Sequence, residues 1–450
     1  MSSSVAEARM DGTEKVPEIK KPDSPPSTAR GWLALGLTVL ALLFCAWPRS
    51  EAPLRYPDSF LYLHWPTASY GPDQPVIPSR RPAGYPLTLR WLGDGDALMI
   101  GQTLFSLGGF ALLGGSLGGI FGVILVGGLA LSPAVAPWNE AILSESTSLA
   151  CLAWLFFLSF EIAKRGSRHN RHGWAGELVP PAEKGRGRLP LMALWVGIAV
   201  YFVLLRDTNG LVLPLFALFF FRMGKGFLAG ALLFVTILIL GNTLQANREG
   251  RYQVPYATAL MTRTFSEPGA LERLTEQGMP PYEMPVSDAM RDWFDQGGRR
   301  LYERWVLSRL DSYTVFLPYL NASGVGERFH EVYFPKKYQP GPGEAVAGIL
   351  WQALSLPLLL FAGLLALPWI DYRLRGRVGP PALTAALLVP LTYGLGFVTY
   401  HAAGNEEYRH MLMALVLYRL AFVLAGFVLI AGFFHRLRSS REGSETIRPA

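Results

Sequence analysis

Runs of about 17 to 25 consecutive apolar residues recur along this 450-residue chain, and they constrain its fold more than any other feature. A helix of that length spans the ~30 Å hydrocarbon core of a bilayer. Lipid offers no partners to backbone N–H and C=O groups, so spanning segments must be helices or closed barrels. The runs are continuous and lack the alternation of barrel strands. The sequence therefore predicts an all-α polytopic membrane protein.

The apolar runs predict about ten transmembrane helices, at 31–47, 97–113, 116–133, 143–163, 189–205, 209–221, 226–242, 346–369, 379–399 and 411–434. Composition divides the chain into a disordered tail at 1–30, a membrane module at 31–242 with a first loop at 48–96, a small mainly helical domain at 243–345, C-terminal spans at 346–435 and a basic tail at 436–450. Within the 243–345 domain, helical periodicity favours helices at 268–278 and 287–313.

Basic residues predict the orientation. The loop 164–188 carries seven Lys and Arg against two Glu, and the tail is also basic, so both belong on the cytoplasmic side with both termini. We assign the net charge of +7 to that face rather than to nucleic-acid binding. The Ala-, Gly- and Arg-rich composition favours a bacterial inner (plasma) membrane. The loops 48–96 and 243–345 then face outward.

Five polar stretches share the predicted outer face. Ionisable groups at membrane depth are costly and usually functional, so these stretches are the candidates for a site. They are PDSFLYL with Asp58, RRPAGYPL with Arg80 and Arg81, AILSESTSLA with Glu145, LLRDTNGLVLPL with Arg206, Asp207 and Asn209, and NEEYRHMLMAL with Glu407 and Arg409.

The order and common face of these stretches resemble the GT-C glycosyltransferases, a superfamily that includes the protein O-mannosyltransferases and bacterial lipid-linked sugar transferases. The resemblance covers roughly 31–240 and 346–435. It implies a GT-C-like bundle and an inverting transfer of a sugar from a polyprenyl phosphate or diphosphate at the extracytoplasmic face. The acceptor is a glycan, a lipid or a protein. Asp58 matches the catalytic acid of the first outer loop and is the expected general base, although Pro-Asp-Ser is also common turn chemistry.

One departure from the family pattern concerns metal binding. Many family members carry paired acids in the first loop, whereas here Ser59 follows Asp58 and Asp73 lies farther along. No metal-binding pair or other cofactor is evident, and the pattern leaves a divalent metal open. The DGD sequence at 94–96 indicates a turn rather than a metal motif.

The remaining site candidates have two interpretations each. Arginine offers a planar fork for phosphate oxygens, but Arg80 and Arg81 could instead snorkel at the interface. Arg206 could bind phosphate or pair with Asp207. Arg409 could bind phosphate at the start of the last helix or pair with Glu406 or Glu407.

Glu145, Asn209 and Glu407 complete the predicted donor-binding set. Glu145 could cap its helix, since acids favour N-termini, or it could bind the sugar or orient an arginine.

Three other functions compete with sugar transfer. A transporter or flippase of a lipid-linked glycan would place its site near the bilayer midplane and usually shows repeated halves. A scaffold needs no acid and several arginines at converging helix ends, and a membrane acyltransferase needs a His–Asp pair that no loop offers. The one-sided polar stretches and the lack of an internal repeat favour the transferase.

Overall fold

The computed structural model describes residues 27–65, 67–68, 77–78, 82–167, 188–222, 230, 232, 234–239, 241, 253–261, 269–281, 287–320, 342–402 and 407–445. Most of the predicted tail 1–30, all of the segment 168–187 and about half of the predicted span 226–242 lie outside these residues.

The N-terminal half of the described chain is helical. Its helices are α1 Ser27–Ala46, α2 Pro57–Leu63, α3 Gly84–Leu92, α4 Asp96–Ala130, α5 Ser144–Ser167, α6 Arg188–Leu205 and α7 Leu213–Arg222. Short 3-10 turns lie at Ala136–Glu140 and Asp207–Val212. Two-residue strands, β1 Thr67–Ala68 and β2 Ile77–Pro78, pair antiparallel in the loop between α2 and α3.

The C-terminal half continues with α8 Gln253–Ala259, α9 Ala270–Glu276, α10 Asp288–Trp293, α11 Arg299–Ser308, α12 Leu317–Leu320, α13 Pro342–Ala353, α14 Leu358–Gly363, α15 Leu367–Arg375, α16 Pro380–Ala402 and α17 Glu407–Glu445. A π-helical turn, Phe294–Gly298, joins α10 to α11, and 3-10 turns lie at Asp311–Tyr313 and Leu364–Ala366.

The predicted helical membrane class is confirmed. Among the described residues, 4 helices are long and apolar enough to cross a bilayer: Asp96–Ala130, Ser144–Lys164, Pro380–His401 and Arg409–Ser440. A fifth span forms if the pair Gly343–Ala353 and Leu358–Arg375, bent by 73°, crosses as one unit. Ala34–Ala46 and Leu189–Leu205 are apolar but shorter. The number ten stays a prediction.

Two predicted spans have a different local form. The run 346–369 is not one straight helix, because α13 ends before Pro357 and α14 begins after it. The run 209–221 begins as a 3-10 turn, and α7 is only 10 residues long. Apolar composition alone does not reveal such breaks, since a straight and a broken helix have the same mean hydropathy.

Helix α4 covers the predicted span 97–113 and most of the predicted span 116–133, and it changes direction inside the second span rather than between the two. Its backbone leaves the helical region at Gly118 and at Gly119, where φ is 60°. A Cβ on Gly114 would collide with the carbonyl of Gly122, although residues eight apart in a straight helix are ~12 Å apart. The two halves of α4 therefore fold back on each other. Lys164 Nζ donates to the Ser116 carbonyl (2.8 Å) near this reversal.

The bundle has one main core. Helix α5 packs between α4 and α6, and α16 runs along α17. Trp195 shows the packing: its ring is buried edge-on against Phe216 and Phe220, with centroids 5.7 and 5.1 Å away. Apolar side chains also cover the outside, as Leu40 and Phe44 do on α1. Such a surface suits lipid contact rather than water.

The helices from α8 to α11 form a second apolar cluster around Met290, Phe294 and Tyr302. Ser287 caps α10 by accepting from the Met290 N–H (3.3 Å). The predicted helix 287–313 is interrupted at Gly297, whose φ is 117°. The Tyr302 hydroxyl donates to the His401 carbonyl (2.9 Å), so this cluster is attached to the end of α16.

Candidate functional site

A short parallel bridge attaches the segment before α2 to the segment before α5. The Leu54 N–H donates to the Glu140 carbonyl (2.8 Å), and the Ile142 N–H donates to the Leu54 carbonyl (3.0 Å). Ser59, in the first turn of α2, donates to the Ile142 carbonyl (2.9 Å) and accepts from the Tyr56 N–H (2.9 Å). These bonds fix the start of α2, where Asp58 lies, against the start of α5.

The buried Glu140 carboxylate secures the chain upstream of this bridge. It accepts the backbone N–H groups of Arg49 (3.1 Å) and Ser50 (3.0 Å) and the Ser50 hydroxyl. A carboxylate that accepts three hydrogen bonds can be buried at little cost. Glu140 therefore holds the exit of α1 in place, a structural role that the sequence did not reveal.

The first turn of α5 is polar but buried, and each side chain is bound to a different element. Ser144 lies 3.1 Å from the Tyr62 hydroxyl of α2, Ser146 bonds Asn139, and Thr147 donates to Gln102 of α4 (3.3 Å). The Gln102 amide in turn donates to the carbonyls of Asn139 (2.9 Å) and Ala141 (3.1 Å). The sequence SEST (144–147) therefore attaches the first turn of α5 to three other elements around Glu145.

Tyr85 extends this network into α3. Its hydroxyl donates to Gln102 Oε1 (2.9 Å). Burial raises the pKa of Tyr85 well above its usual range, so the hydroxyl stays protonated as a donor. The neighbouring Gly84 lies directly on the end of α6, where a Cβ would come within 2.7 Å of the Leu204 carbonyl carbon and oxygen. Only glycine allows this approach, which places α3 beside Arg206.

Arg409, in the first turn of α17, joins two carboxylates from distant parts of the chain. Its Nε donates to Glu145 Oε1 (2.5 Å), and its Nη2 donates to Asp58 Oδ2 (2.7 Å). The Arg409 and Glu145 side chains are 3% and 1% exposed, while Asp58 is 24% exposed. The cluster is therefore buried at Glu145 and open at Asp58.

Arg206 adds a second cation to the same carboxylate. It follows α6 in extended conformation, and its Nη1 lies 3.2 Å from Glu145 Oε1. Its Nη2 lies 3.1 Å from Nδ1 of His410, on α17. Its side chain is 20% exposed, so Arg206, like Asp58, lies on the accessible side of the cluster. We call Asp58, Glu145, Arg206, Arg409 and His410 the ion cluster.

A small cavity lies beside the ion cluster. Its volume is about 20 Å³, which is room for about one water molecule. Beyond the members of the ion cluster, its walls come from α5, the 3-10 turn after α6, α16 and α17: Ser148, Leu149, Asn209, Leu395, Thr399, Leu412 and Met413. Polar and apolar side chains from four elements therefore meet in the wall of this cavity.

Two oxygens of cavity-lining residues, Glu145 Oε2 and Asn209 Oδ1, accept no hydrogen bond from any described residue. Both side chains are buried. The Asn209 amide nitrogen is fixed by donation to the Phe202 carbonyl (2.6 Å) and to Ser148 Oγ (3.1 Å). Buried acceptors are normally satisfied, and these two belong to residues that line the cavity.

The structure brings together five of the nine predicted site residues: Asp58, Glu145, Arg206, Asn209 and Arg409. Arg80 and Arg81 lie outside the described residues, as do the side chains of Asp207 and Glu407.

Glu145 contacts both Arg206 and Arg409, and its predicted role in orienting an arginine stays a prediction. His410, Ser148 and Thr399 are additional members. His410 follows Arg409 directly, and that adjacency was the available sequence signal.

Arg419 is a buried cation that sequence reasoning did not assign. It lies in the middle of α17 and donates to the Trp351 carbonyl (3.2 Å) and to Ser355 Oγ (2.6 Å). Its guanidinium also lies 3.7 Å from the centroid of the Trp351 ring. The last carbonyls of a helix lack partners within that helix and favour a cation. Arg419 therefore caps the end of α13 inside the bundle. An arginine within an apolar run was the signal.

No group of three His, Cys, Asp or Glu side chains in the described part of the chain is arranged to hold a metal ion. The sequence statements on cofactors stay predictions. A scan against protein-family models finds no family that matches the chain, and a search of curated proteins finds no match either.

Proposed function

We propose that the chain is a membrane glycosyltransferase that moves a sugar from a polyprenyl-phosphate-linked donor to an acceptor at the extracytoplasmic face. One observation carries the proposal. Asp58, Glu145 and Arg409 lie in segments 87 and 264 residues apart along the chain, yet one buried guanidinium joins both carboxylates. Burying so many charges is costly unless each is paired, and such clusters are typical of functional sites.

Asp58 is the general base in this proposal. Its partly exposed carboxylate can accept the proton of an acceptor hydroxyl while that oxygen attacks the anomeric carbon of the donor sugar. The bond between the anomeric carbon and the phosphate oxygen breaks, and its electron pair leaves with the phosphate. Attack from the opposite side inverts the anomeric configuration. The ion pair with Arg409 positions Asp58 for this step.

Arg206 is the cation that we assign to the leaving phosphate. Arg409 is 3% exposed and already engages two carboxylates, whereas Arg206 is 20% exposed at the edge of the cluster. A preorganised guanidinium stabilises the charge that develops on a leaving oxygen. In this assignment Arg409 orients Asp58 and Glu145, and it is a positioning residue rather than a phosphate ligand.

A flippase of a lipid-linked glycan is the second candidate, and one observation favours it. The bend of 73° between α13 and α14, with the buried Arg419 beside it, resembles the broken helices of transporters. The two functions differ in their product. A flippase moves the intact glycolipid between leaflets, whereas a transferase makes a new glycosidic bond and releases polyprenyl phosphate.

The deciding experiment combines the purified chain in lipid nanodiscs with radiolabelled polyprenyl-phosphate sugars and an acceptor extract. We expect transfer of label with wild type and a loss of about 10²–10⁴ in rate with Asp58→Asn, because Asn keeps the shape but cannot accept the proton. Asp94→Asn is the matched control. Asp94 pairs with Arg55 (2.5 Å) in the same loop, and both side chains are well exposed.

Near-normal transfer by Asp58→Asn would remove Asp58 as the base. Movement of the glycolipid across liposome leaflets without any new glycosidic bond would establish the flippase in place of the transferase.

A further inference from the structure

The cavity beside the ion cluster has the chemistry of a ligand subsite. Glu145 Oε2 and Asn209 Oδ1 are buried acceptors without a partner among the described residues, and both residues line the cavity. Asn209 cannot turn its oxygen away without breaking the bonds of its amide nitrogen to the Phe202 carbonyl (2.6 Å) and Ser148 (3.1 Å). An acceptor fixed in this way selects for a donor group.

The lining also defines which donor fits. Arg206 and Arg409 share the cavity wall, so a second cation such as an ammonium group is disfavoured by like-charge repulsion. A volume of about 20 Å³ accepts a group the size of one water molecule. The matching ligand group is therefore a neutral hydroxyl, small and able to donate a hydrogen bond.

We propose that one hydroxyl group of the donor sugar enters this cavity and donates a hydrogen bond to Asn209 Oδ1. The inference rests on the proposed transferase function. It makes Asn209 a residue that determines sugar specificity. Arg206 and Arg409 line the cavity, and Arg409 also holds Asp58, so a sugar anchored there lies beside the residues that we assign to the leaving phosphate and to the proton transfer.

This arrangement predicts how the enzyme discriminates between sugars. A donor that lacks the bound hydroxyl leaves a buried acceptor unpaired, and the resulting penalty reduces its use by about 5- to 150-fold. A site built for a hydroxyl rejects the analogue that lacks it, whereas a merely apolar pocket would not. Removal of the acceptor should remove the discrimination.

The test uses the sugar that wild type transfers best and its complete set of monodeoxy polyprenyl-phosphate analogues, with kcat/KM measured for each. We expect one analogue to be at least 5-fold worse than the parent with wild type. With Asn209→Ala, kcat/KM for the parent should fall and the ratio of parent to that analogue should approach one. Ser159→Ala is the matched variant: it removes a buried hydroxyl of the same helix α5 that is not part of the cavity lining, so the ratio should stay high.

The outcomes separate the two proposals. If no sugar is transferred by wild type, the transferase function fails and this inference fails with it. If transfer occurs but no monodeoxy donor is impaired more than threefold, only the inference fails. This outcome is measured on wild type, so it tests the inference even when Asn209→Ala does not fold. Full discrimination by a folded Asn209→Ala protein also overturns the role of Asn209.

Discussion

Replacement of Glu145 by glutamine is the sharpest test of the ion cluster, because one buried oxygen serves two arginines. Glu145 Oε1 accepts from Arg409 Nε at 2.5 Å and lies 3.2 Å from Arg206 Nη1. Gln keeps the shape of the side chain but removes its negative charge. Arg409 then keeps only Asp58 as a carboxylate partner from the ion cluster. Arg206 loses its carboxylate partner in the cluster and retains its contact with His410.

The magnitude follows from burial. Removal of one partner from a buried ion pair costs about 3–5 kcal/mol, since a charge remains without compensation. Asp58 still holds Arg409, so we expect Glu145→Gln to lose about 3 kcal/mol of unfolding free energy, at the lower end of that range. The same acid-to-amide change at the exposed pair of Asp94 and Arg55 should cost about 0–1 kcal/mol.

The assay is reversible unfolding of the purified protein in mixed micelles with increasing SDS, followed by tryptophan fluorescence. Glu145→Gln and Asp94→Asn are compared in the same micelles. A double variant, Glu145→Gln with Arg206→Met, is the third arm: it also removes the cation that has lost its carboxylate partner, and it should recover part of the loss. If Glu145→Gln stays within about 1 kcal/mol of wild type, or the double variant is less stable than Glu145→Gln alone, the reasoning about buried charge is refuted.

Two further predictions concern positions that hold the site together. Gly84→Ala should destabilise the protein by about 1–3 kcal/mol in the same SDS titration, because the new Cβ meets the Leu204 backbone. In the control Gly95→Ala the new Cβ meets nothing within 4 Å, so its stability should be nearly that of wild type. Equal effects of the two substitutions would contradict the close approach of Gly84 to Leu204. Arg419→Met should lower the free energy of unfolding by at least about 1–3 kcal/mol, because the end of α13 loses its buried donor. The control is Arg373→Met at an exposed position, which loses a cation–π contact with Trp369 and should change stability far less. A harmless Arg419→Met would show that the α13 carbonyls are satisfied by other groups.

Local sequence patterns were sufficient for the class of fold, and they selected five polar residues that the structure brings together. Continuous apolar runs predicted membrane helices, because the hydropathy of a segment depends on its own residues. Polar residues at the ends of those runs predicted where chemistry could lie, and Asp58, Glu145, Arg206, Asn209 and Arg409 do converge. The reason is that an ionisable group at membrane depth is expensive wherever the helix packs.

The partners of those residues were decided only by the tertiary structure. The described contacts of the Arg409 guanidinium are with Glu145 and Asp58, 264 and 351 residues away. The side chains of its neighbours Glu406 and Glu407 lie outside the described residues, so pairing with them stays a prediction. Two helix breaks depend likewise on their packing partners. One is the reversal of α4 at Gly118 and Gly119, and the other is the end of α13, whose Trp351 carbonyl accepts from Arg419. Hydropathy is a property of a segment, whereas ion pairing and helix capping require two segments to meet, and only the packed bundle determines which segments meet.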